Sequence, residues 1–334
     1  MTSAKNIIVI YTGGTFGMME TPEGLTPLPL DVFEPMLQYE VADIPNINLR
    51  LLQTPRIFDS SQATIEDWNM VGQIIAKQYN NADAFIVIHG TDTMDFGCAA
   101  LHNMLESPKP IVVTGSMLPL LNKDGDALEN FRTAVKTIQD YKARGVLFAF
   151  RGEVFHPERF FKYATENPQI RGQNEAFQRI GQPLNSYFTN TAAQGGFSFT
   201  QLTEHYIPLI SFTPGNSDPF KQCRLDEKPD AILLEGLGNG NIPFTAEAFL
   251  AEAKQRNIPV FCISAAPMGK ADHTYAAGSW AARHDVTNLE YMTRAASIMK
   301  LQRVLTDKAS QNPNLDLKQA MIAQAQLFAA NPAP

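Results

Sequence analysis

The sequence predicts an α/β protein of two α/β domains, the larger N-terminal one built on a mostly parallel sheet covered by helices and the C-terminal one smaller. Three observations predict this. Short apolar runs alternate with longer amphipathic segments, and that alternation means crossover units and a parallel sheet covered on both faces. The 334 residues exceed what one domain of about 150 residues holds. The alternation breaks over 181–201, where Pro, Asn, Ser, Thr and a Gly-Gly pair carry little periodicity, and then resumes. The expected organisation is an N-terminal domain over 1–185, a linker over 186–204 and a C-terminal domain over 205–334.

Each element follows from local chemistry. Ile7–Ile10 is β-branched and bounded by Asn6 and a Gly-Gly turn, so it reads as a strand. Asn48–Leu52 alternates and reads as a second. A helix starts at Thr64, which can cap it; Asp67 suits the first turn, and Trp68, Val71, Ile74 and Ile75 recur at helical spacing. Ala84–Ile88 is a buried strand, followed by a helix from Thr91 to about Leu105. Ile111–Val113 is a strand, Ala127–Lys142 a helix with Leu128, Phe131, Ala134, Val135 and Ile138 on one face, and Val146–Phe150 the last strand of the series. In the second unit, strands are expected at Tyr206–Ile210, Ala231–Leu234 and Pro259–Ile263, and helices at Ala246–Gln255, Thr287–Leu305 and Leu315–Leu327.

Composition narrows the function classes. With 27 basic against 34 acidic side chains, the net charge of −7 lacks the basic footprint of a nucleic-acid or anionic-membrane binder. No apolar run approaches the ~18 residues of a membrane span. Met1–Tyr11 holds one lysine and a short apolar run that leads into a glycine loop without a small-residue cleavage site, so it reads as a first strand and not a signal peptide. Cys98, Cys223 and Cys262 are scattered and odd in number, which fits a reducing compartment and a cytoplasmic location. No Cys/His cluster has metal-ligand spacing, so neither metal nor cofactor is expected.

In open parallel sheets ligands bind beyond the carboxyl ends of strands. After the first strand comes Thr12-Gly13-Gly14-Thr15-Phe16-Gly17, where two glycines permit a tight turn with exposed amides and Thr15 offers a hydroxyl. The same residues suit a plain glycine turn or a nucleotide loop, although the phosphate-loop Lys-Ser/Thr ending and a G-x-G-x-x-G spacing are both missing. After Ala84–Ile88 comes His89-Gly90-Thr91-Asp92-Thr93-Met94. Thr91 and Asp92 there are either ordinary N-cap residues or groups placed at a helix start for polar chemistry. His89, at the end of a buried strand and with no evident partner, reads as structural.

Taken together, the two loops resemble the L-asparaginase family, whose bacterial members carry T-G-G-T-I-[GA] and H-G-T-D-T-M segments after corresponding strands. Asp59-Ser60-Ser61 resembles the family's substrate-binding D-S-S loop. Thr114-Gly115-Ser116 with Pro119, Asp124-Gly125 and Asn130 resembles its T-G-S-x-x-P stretch, and Arg159-x-x-Lys162 its R-x-x-K. The resemblance covers the N-terminal unit well and the C-terminal unit loosely, through Gly236–Pro243 and the final helices. The missing signal segment suggests the bacterial cytoplasmic, type I-like branch.

The resemblance implies hydrolysis of L-asparagine to L-aspartate and ammonia. It assigns Thr15 as nucleophile, supported by a triad of Thr91, Asp92 and Lys162. A threonine hydroxyl attacks only when a neighbour takes its proton. A lysine serves as that base in its neutral form, which an adjacent aspartate disfavours, so the expected part of Asp92 is to orient Lys162 and to hold the substrate α-ammonium. Asp59, Ser60, Ser61 and Ser116 would grip the substrate, and backbone at Gly14 and Gly90 would serve the oxyanion. The implied partner is a small-molecule amide amino acid, and the implied assembly is a homodimer or homotetramer. Two departures stand out. Leu25 occupies the family's tyrosine position, in a segment with Gly24, Pro22, Pro27 and Pro29 that reads as a mobile lid. Tyr11 is a weak substitute for that tyrosine. Residues 167–174 look like an insertion after Lys162. The alternatives are a glutaminase-asparaginase, an amidotransferase-type ammonia-releasing subunit, or a catalytically weakened amino-acid-binding protein.

Overall fold

The computed structural model describes residues 4–140, 143–165, 176–180, 196–215, 220, 223–272 and 280–329. The expected insertion at 167–174 and residues 186–195 of the expected linker lie outside them. The chain divides into two compact units, Met1–Gln201 and Leu202–Pro334.

In the first unit, β1 (Lys5–Tyr11) leads through the glycine loop into a hairpin of β2 (Met18–Thr21) and β3 (Gly24–Pro27). Then come helix α1 (Leu30–Glu40), β4 (Ile47–Gln53), α2 (Ile65–Gln78), β5 (Ala84–Ile88), α3 (Met94–Met104), β6 (Leu105–Glu106) and β7 (Pro110–Thr114). Next are α4 (Ala127–Asp140), β8 (Gly145–Phe150), β9 (Glu153–Phe155), β10 (Phe160–Lys162), β11 (Phe177–Arg179) and β12 (Ser198–Phe199). The main sheet runs β4-β1-β5-β7-β8-β9, with every pairing parallel except the β8–β9 edge. Ile7, Val9, Ile86 and Ile88 face a core that takes in Phe33 and Leu37 of α1 and Phe131, Ala134, Val135 and Ile138 of α4. The other set, Ile8, Ile10, Phe85 and Val87, is equally buried, as are Trp68, Val71 and Ile75 of α2 and Cys98 and Leu101 of α3. Burial on both faces is what a parallel sheet requires.

The second unit has a four-stranded parallel sheet in the order β13 (Leu209–Ser211), β14 (Ile232–Gly236), β15 (Val260–Ser264) and β16 (Val286–Asn288). Among its described residues are helices α5 (Glu247–Gln255), α6 (Arg294–Ser310) and α7 (Leu317–Ala329). Among the described residues no helix is long and apolar enough to cross a membrane, and no group of three or more His, Cys, Asp or Glu is placed to hold a metal ion.

Several sequence expectations need correction. The helix expected from Thr287 is first a strand, Val286–Asn288, and becomes helical only after Thr293, whose side chain accepts from the Ala296 amide. The expected strand at Tyr206–Ile210 is confined to Leu209–Ser211. The helix expected from Thr91 opens as a 3₁₀ turn, Thr91–Thr93, ahead of α3. Leu128 is exposed and lies off the core face of α4. The segment expected as an irregular lid is the β2–β3 hairpin, in which Leu25 pairs with Glu20. Helix α1 corresponds to none of the expected elements, and it accommodates Pro35 in its interior, where proline removes a backbone donor.

Asp126 holds the segment between β7 and α4. Its buried carboxylate accepts from the Met117 amide at 3.0 and 3.1 Å, the Leu118 amide at 3.1 Å and Asn130 Nδ2 at 2.9 Å. Asn130 in turn donates to the Gly115 carbonyl and accepts from the Arg151 amide. Asp126→Ala strands two backbone amides, and its expected cost is about 3 kcal/mol in urea unfolding, with Asp126→Asn milder. A loss under about 0.5 kcal/mol, the size of an ordinary surface change, would contradict this assignment.

Candidate active site

Parallel pairing of β1 with β5 puts Tyr11 opposite Ile88, so the loops that follow leave the sheet side by side. Thr12 ties them further, its amide and hydroxyl both donating to the Ile88 carbonyl at 3.1 and 3.0 Å. Gly13 and Gly14 take φ of 130° and 83°, a region that L side chains rarely adopt. Space is equally restrictive. A Cβ on Gly14 would lie 2.6 Å from the Gly90 Cα, and one on Gly90 2.4 Å from Ser60 Oγ. The backbones of the two motif loops and the Ser60 hydroxyl therefore meet at one point.

Thr15, half-buried, begins a 3₁₀ turn over Thr15–Gly17. Phe16 anchors that turn, wholly buried against Phe33 and Phe131. Thr91 begins the corresponding turn over Thr91–Thr93. Neither turn has a side-chain cap, because the capping residues are Gly14 and Gly90. Asp59 accepts from the Ser61 amide at 2.9 Å and so shapes the Ser60–Gln62 turn, with Ser60 buried and Asp59 and Ser61 exposed. Thr93 links this turn to the second loop by donating to the Ser60 carbonyl at 2.7 Å.

Lys162 comes from β10, which pairs antiparallel with β11 and is fixed by Phe160, stacked on Phe148 at 4.3 Å. Its Nζ donates to Thr91 Oγ1 at 3.0 Å and to Asp92 Oδ1 at 2.6 Å. The lysine side chain is 15% exposed and the aspartate 59%, so the pair sits at the solvent edge with the amine on its inner side. Of the expected residues, Thr91, Asp92 and Lys162 are thus joined directly, and Gly14, Gly90 and Ser60 meet through close contact. Ser116 is buried, and its hydroxyl donates to the Leu118 carbonyl at 2.5 Å, within its own loop. That loop reaches the first one through the Leu120 amide, which donates to the Phe16 carbonyl at 3.0 Å.

His89 does have partners. The Trp68 indole N–H donates to His89 Nε2 at 3.2 Å, and His89 Nδ1 lies 2.7 Å from the Gly90 carbonyl oxygen. A donor on Nε2 and an acceptor on Nδ1 agree on one neutral tautomer, with the proton on Nδ1. Sequence reasoning found Thr91, Asp92 and Lys162 but missed Thr93 and Trp68. A buried indole N–H needing an acceptor was the available signal for Trp68.

Residues 6–190 match the family model described as Asparaginase, N-terminal, and residues 207–314 match the Glutaminase/Asparaginase C-terminal domain. The chain is 29% identical to L-asparaginase 1 of Escherichia coli K12, over 91% of this chain and 93% of that one. It is also 29% identical to an L-asparaginase of Thermococcus kodakarensis, over 90% and 92%. The crystal structure of L-asparaginase I from Vibrio cholerae superposes with a TM-score of 0.83 at 25% identity, covering 99% of this chain and 100% of the other.

Burial holds the His89 pKa below its ordinary 6.5, against the Gly90 hydrogen bond and the Asp67 charge. Below pH 6.5 the unfolded chain thus binds a proton that the folded chain excludes. The stability from this site is complete above that pH and is lost as pH falls toward the folded value. Urea midpoints measured between pH 8 and pH 5 should decline on the acid side by less in His89→Asn than in the wild type. Equal slopes would show that His89 does not titrate with unfolding.

Proposed function

The chain belongs to the asparaginase family, and we propose that it hydrolyses the side-chain amide of L-asparagine to L-aspartate and ammonia, with Thr15 as nucleophile. The observation that carries this reading is Lys162 Nζ in contact with both Thr91 Oγ1 and Asp92 Oδ1, beside loops whose glycines touch. Thr15 Oγ bonds to the amide carbon while the carbonyl electrons move onto oxygen. The C–N bond then breaks, and ammonia leaves with a proton derived from the threonine hydroxyl. Water attacks the resulting ester and gives a proton toward the Lys162–Thr91 pair; the ester C–Oγ bond breaks, that proton passes to Thr15 Oγ, and aspartate and free Thr15 are released. Amides at Thr15 and Thr91 face the developing oxyanion. Asp92 orients Lys162 and offers its exposed oxygen to the substrate α-ammonium, while Asp59, Ser60 and Ser61 take the remaining polar ends. Cytoplasmic location and assembly as a homodimer or homotetramer belong to the same reading.

Ammonia release from L-asparagine, L-glutamine and D-asparagine tests the activity and its preference. Thr15→Ala, Thr91→Val and Lys162→Met should each lower kcat by about 100- to 10,000-fold while the protein stays folded. Near-native turnover in a folded variant removes that residue from the mechanism. A collapse of affinity with intact kcat in Lys162→Met would make it a binding residue.

Leu25 supports one specific comparison. It is 47% exposed on the β2–β3 hairpin, so a larger side chain meets solvent and not core. Leu25→Tyr should change stability by no more than about 0.5 kcal/mol. Turnover should stay unchanged or rise, with the KM for asparagine kept. A large fall in kcat without unfolding would show that the hairpin needs leucine there.

A further inference from the structure

Two buried side chains outside the Thr91–Asp92–Lys162 group reach the two motif loops in the same way. The Tyr11 hydroxyl donates to the Gly14 carbonyl oxygen at 3.3 Å, and His89 Nδ1–H donates to the Gly90 carbonyl oxygen at 2.7 Å. Each acceptor belongs to the peptide group that joins a glycine to a threonine, Gly14 to Thr15 and Gly90 to Thr91. Tyr11 is the last residue of β1 and His89 directly follows β5, and both are essentially fully buried. Both are given room by a glycine: a Cβ on Gly17 would lie 2.7 Å from the Tyr11 ring, and one on Gly97 2.8 Å from His89 Nε2. Packing alone would be served by phenylalanine or leucine. Burying a phenol and an imidazole costs desolvation, and in each case a polar atom is directed at one backbone carbonyl.

In a trans peptide the C=O and N–H point in opposite directions. A buried donor that holds the carbonyl therefore aims the N–H of the following threonine away from the core. Gly14 has a φ of 83°, and the Tyr11 hydroxyl holds the carbonyl of the peptide that follows it. We propose that Tyr11 and His89 are paired positioning residues, which fix the Gly14–Thr15 and Gly90–Thr91 peptide groups so that both amides are aimed at the developing oxyanion. Trp68 sets the His89 tautomer that makes this possible. This inference rests on the amidohydrolase reading above. Because the oxyanion forms only in the transition state, a misaimed donor lowers kcat and leaves KM alone.

The test compares Tyr11→Phe, which removes one oxygen and keeps the ring, with His89→Asn, which keeps an N–H near the Nδ1 position, and His89→Leu, which has none. Expected are a kcat for L-asparagine about 10- to 100-fold lower in Tyr11→Phe and His89→Leu, KM within about threefold, and substantial recovery in His89→Asn. Crystal structures of the variants give a readout that needs no turnover, and in Tyr11→Phe the Gly14–Thr15 peptide should be rotated. Wild-type kcat with an unmoved peptide in Tyr11→Phe overturns the positioning role and leaves the amidohydrolase reading standing. So does a loss in kcat and KM together that merely follows the thermal midpoint. If the wild-type protein releases ammonia from no amide, the activity fails instead, and rotation or retention of the peptide then supports or overturns the positioning role by itself. If His89→Leu does not fold, Tyr11→Phe and His89→Asn carry the comparison.

Discussion

The candidate site depends on the pairing of β1 with β5. Because the strands are parallel and in register at Tyr11 and Ile88, their chains leave the sheet at the same level and in the same direction. The ladder continues past the strand ends through Thr12 onto Ile88, Phe58 onto Thr12 and His89 onto Thr114. Each of these bonds fixes the start of a loop that contributes to the site. With the starts fixed, the closeness of Gly14 to Gly90 leaves no volume for a side chain at either position. Glycine is required here by space as well as by φ.

The polar groups near the site divide by what they can contribute energetically. The Lys162–Asp92 pair lies at the solvent edge, where an ion pair contributes about 0–1 kcal/mol to stability. Its geometry, with the amine also on the Thr91 hydroxyl, is therefore better understood through chemistry than through folding. Asp126 is the opposite case. It is buried, accepts from two backbone amides and an asparagine, and holds the Met117–Leu118 turn while leaving nothing for a ligand. Asp67 is similar, with its carboxylate taken by the Thr64 amide and hydroxyl and by Arg56. The three aspartates thus fall into two roles, one exposed and two structural, set by burial and by the number of donors aimed at them.

Much of the first unit was legible in the sequence because its elements are specified locally. The apolar runs of β1, β5, β7 and β8 and the helical spacing of α2 and α4 are legible locally, and the glycine and H-G-T-D loops sit where such strands end. Local signals failed where they conflicted or were weak. Pro35 weakens the helical signal of α1, and the prolines and Gly24 of the hairpin disguised two short strands that pair with each other. The apolar Leu128 was assigned to the core from spacing, although Ala127 takes the buried place beside it.

What the sequence by itself determined is which residues carry reactive groups and which strand ends present them. Tertiary structure alone decided which of them meet. Lys162 reaches Thr91 across 71 residues because β10 and β11 fold back as a pair and Phe160 packs on Phe148. His89 acquires its tautomer from Trp68, 21 residues earlier on a different element. Ser116 matches the motif as well as Ser60 does, yet its hydroxyl closes on Leu118 while that of Ser60 lies against Gly90. Periodicity and turn chemistry act over a few residues, whereas hydrogen-bond direction at a site depends on strand order and register, which are settled only when distant segments pack.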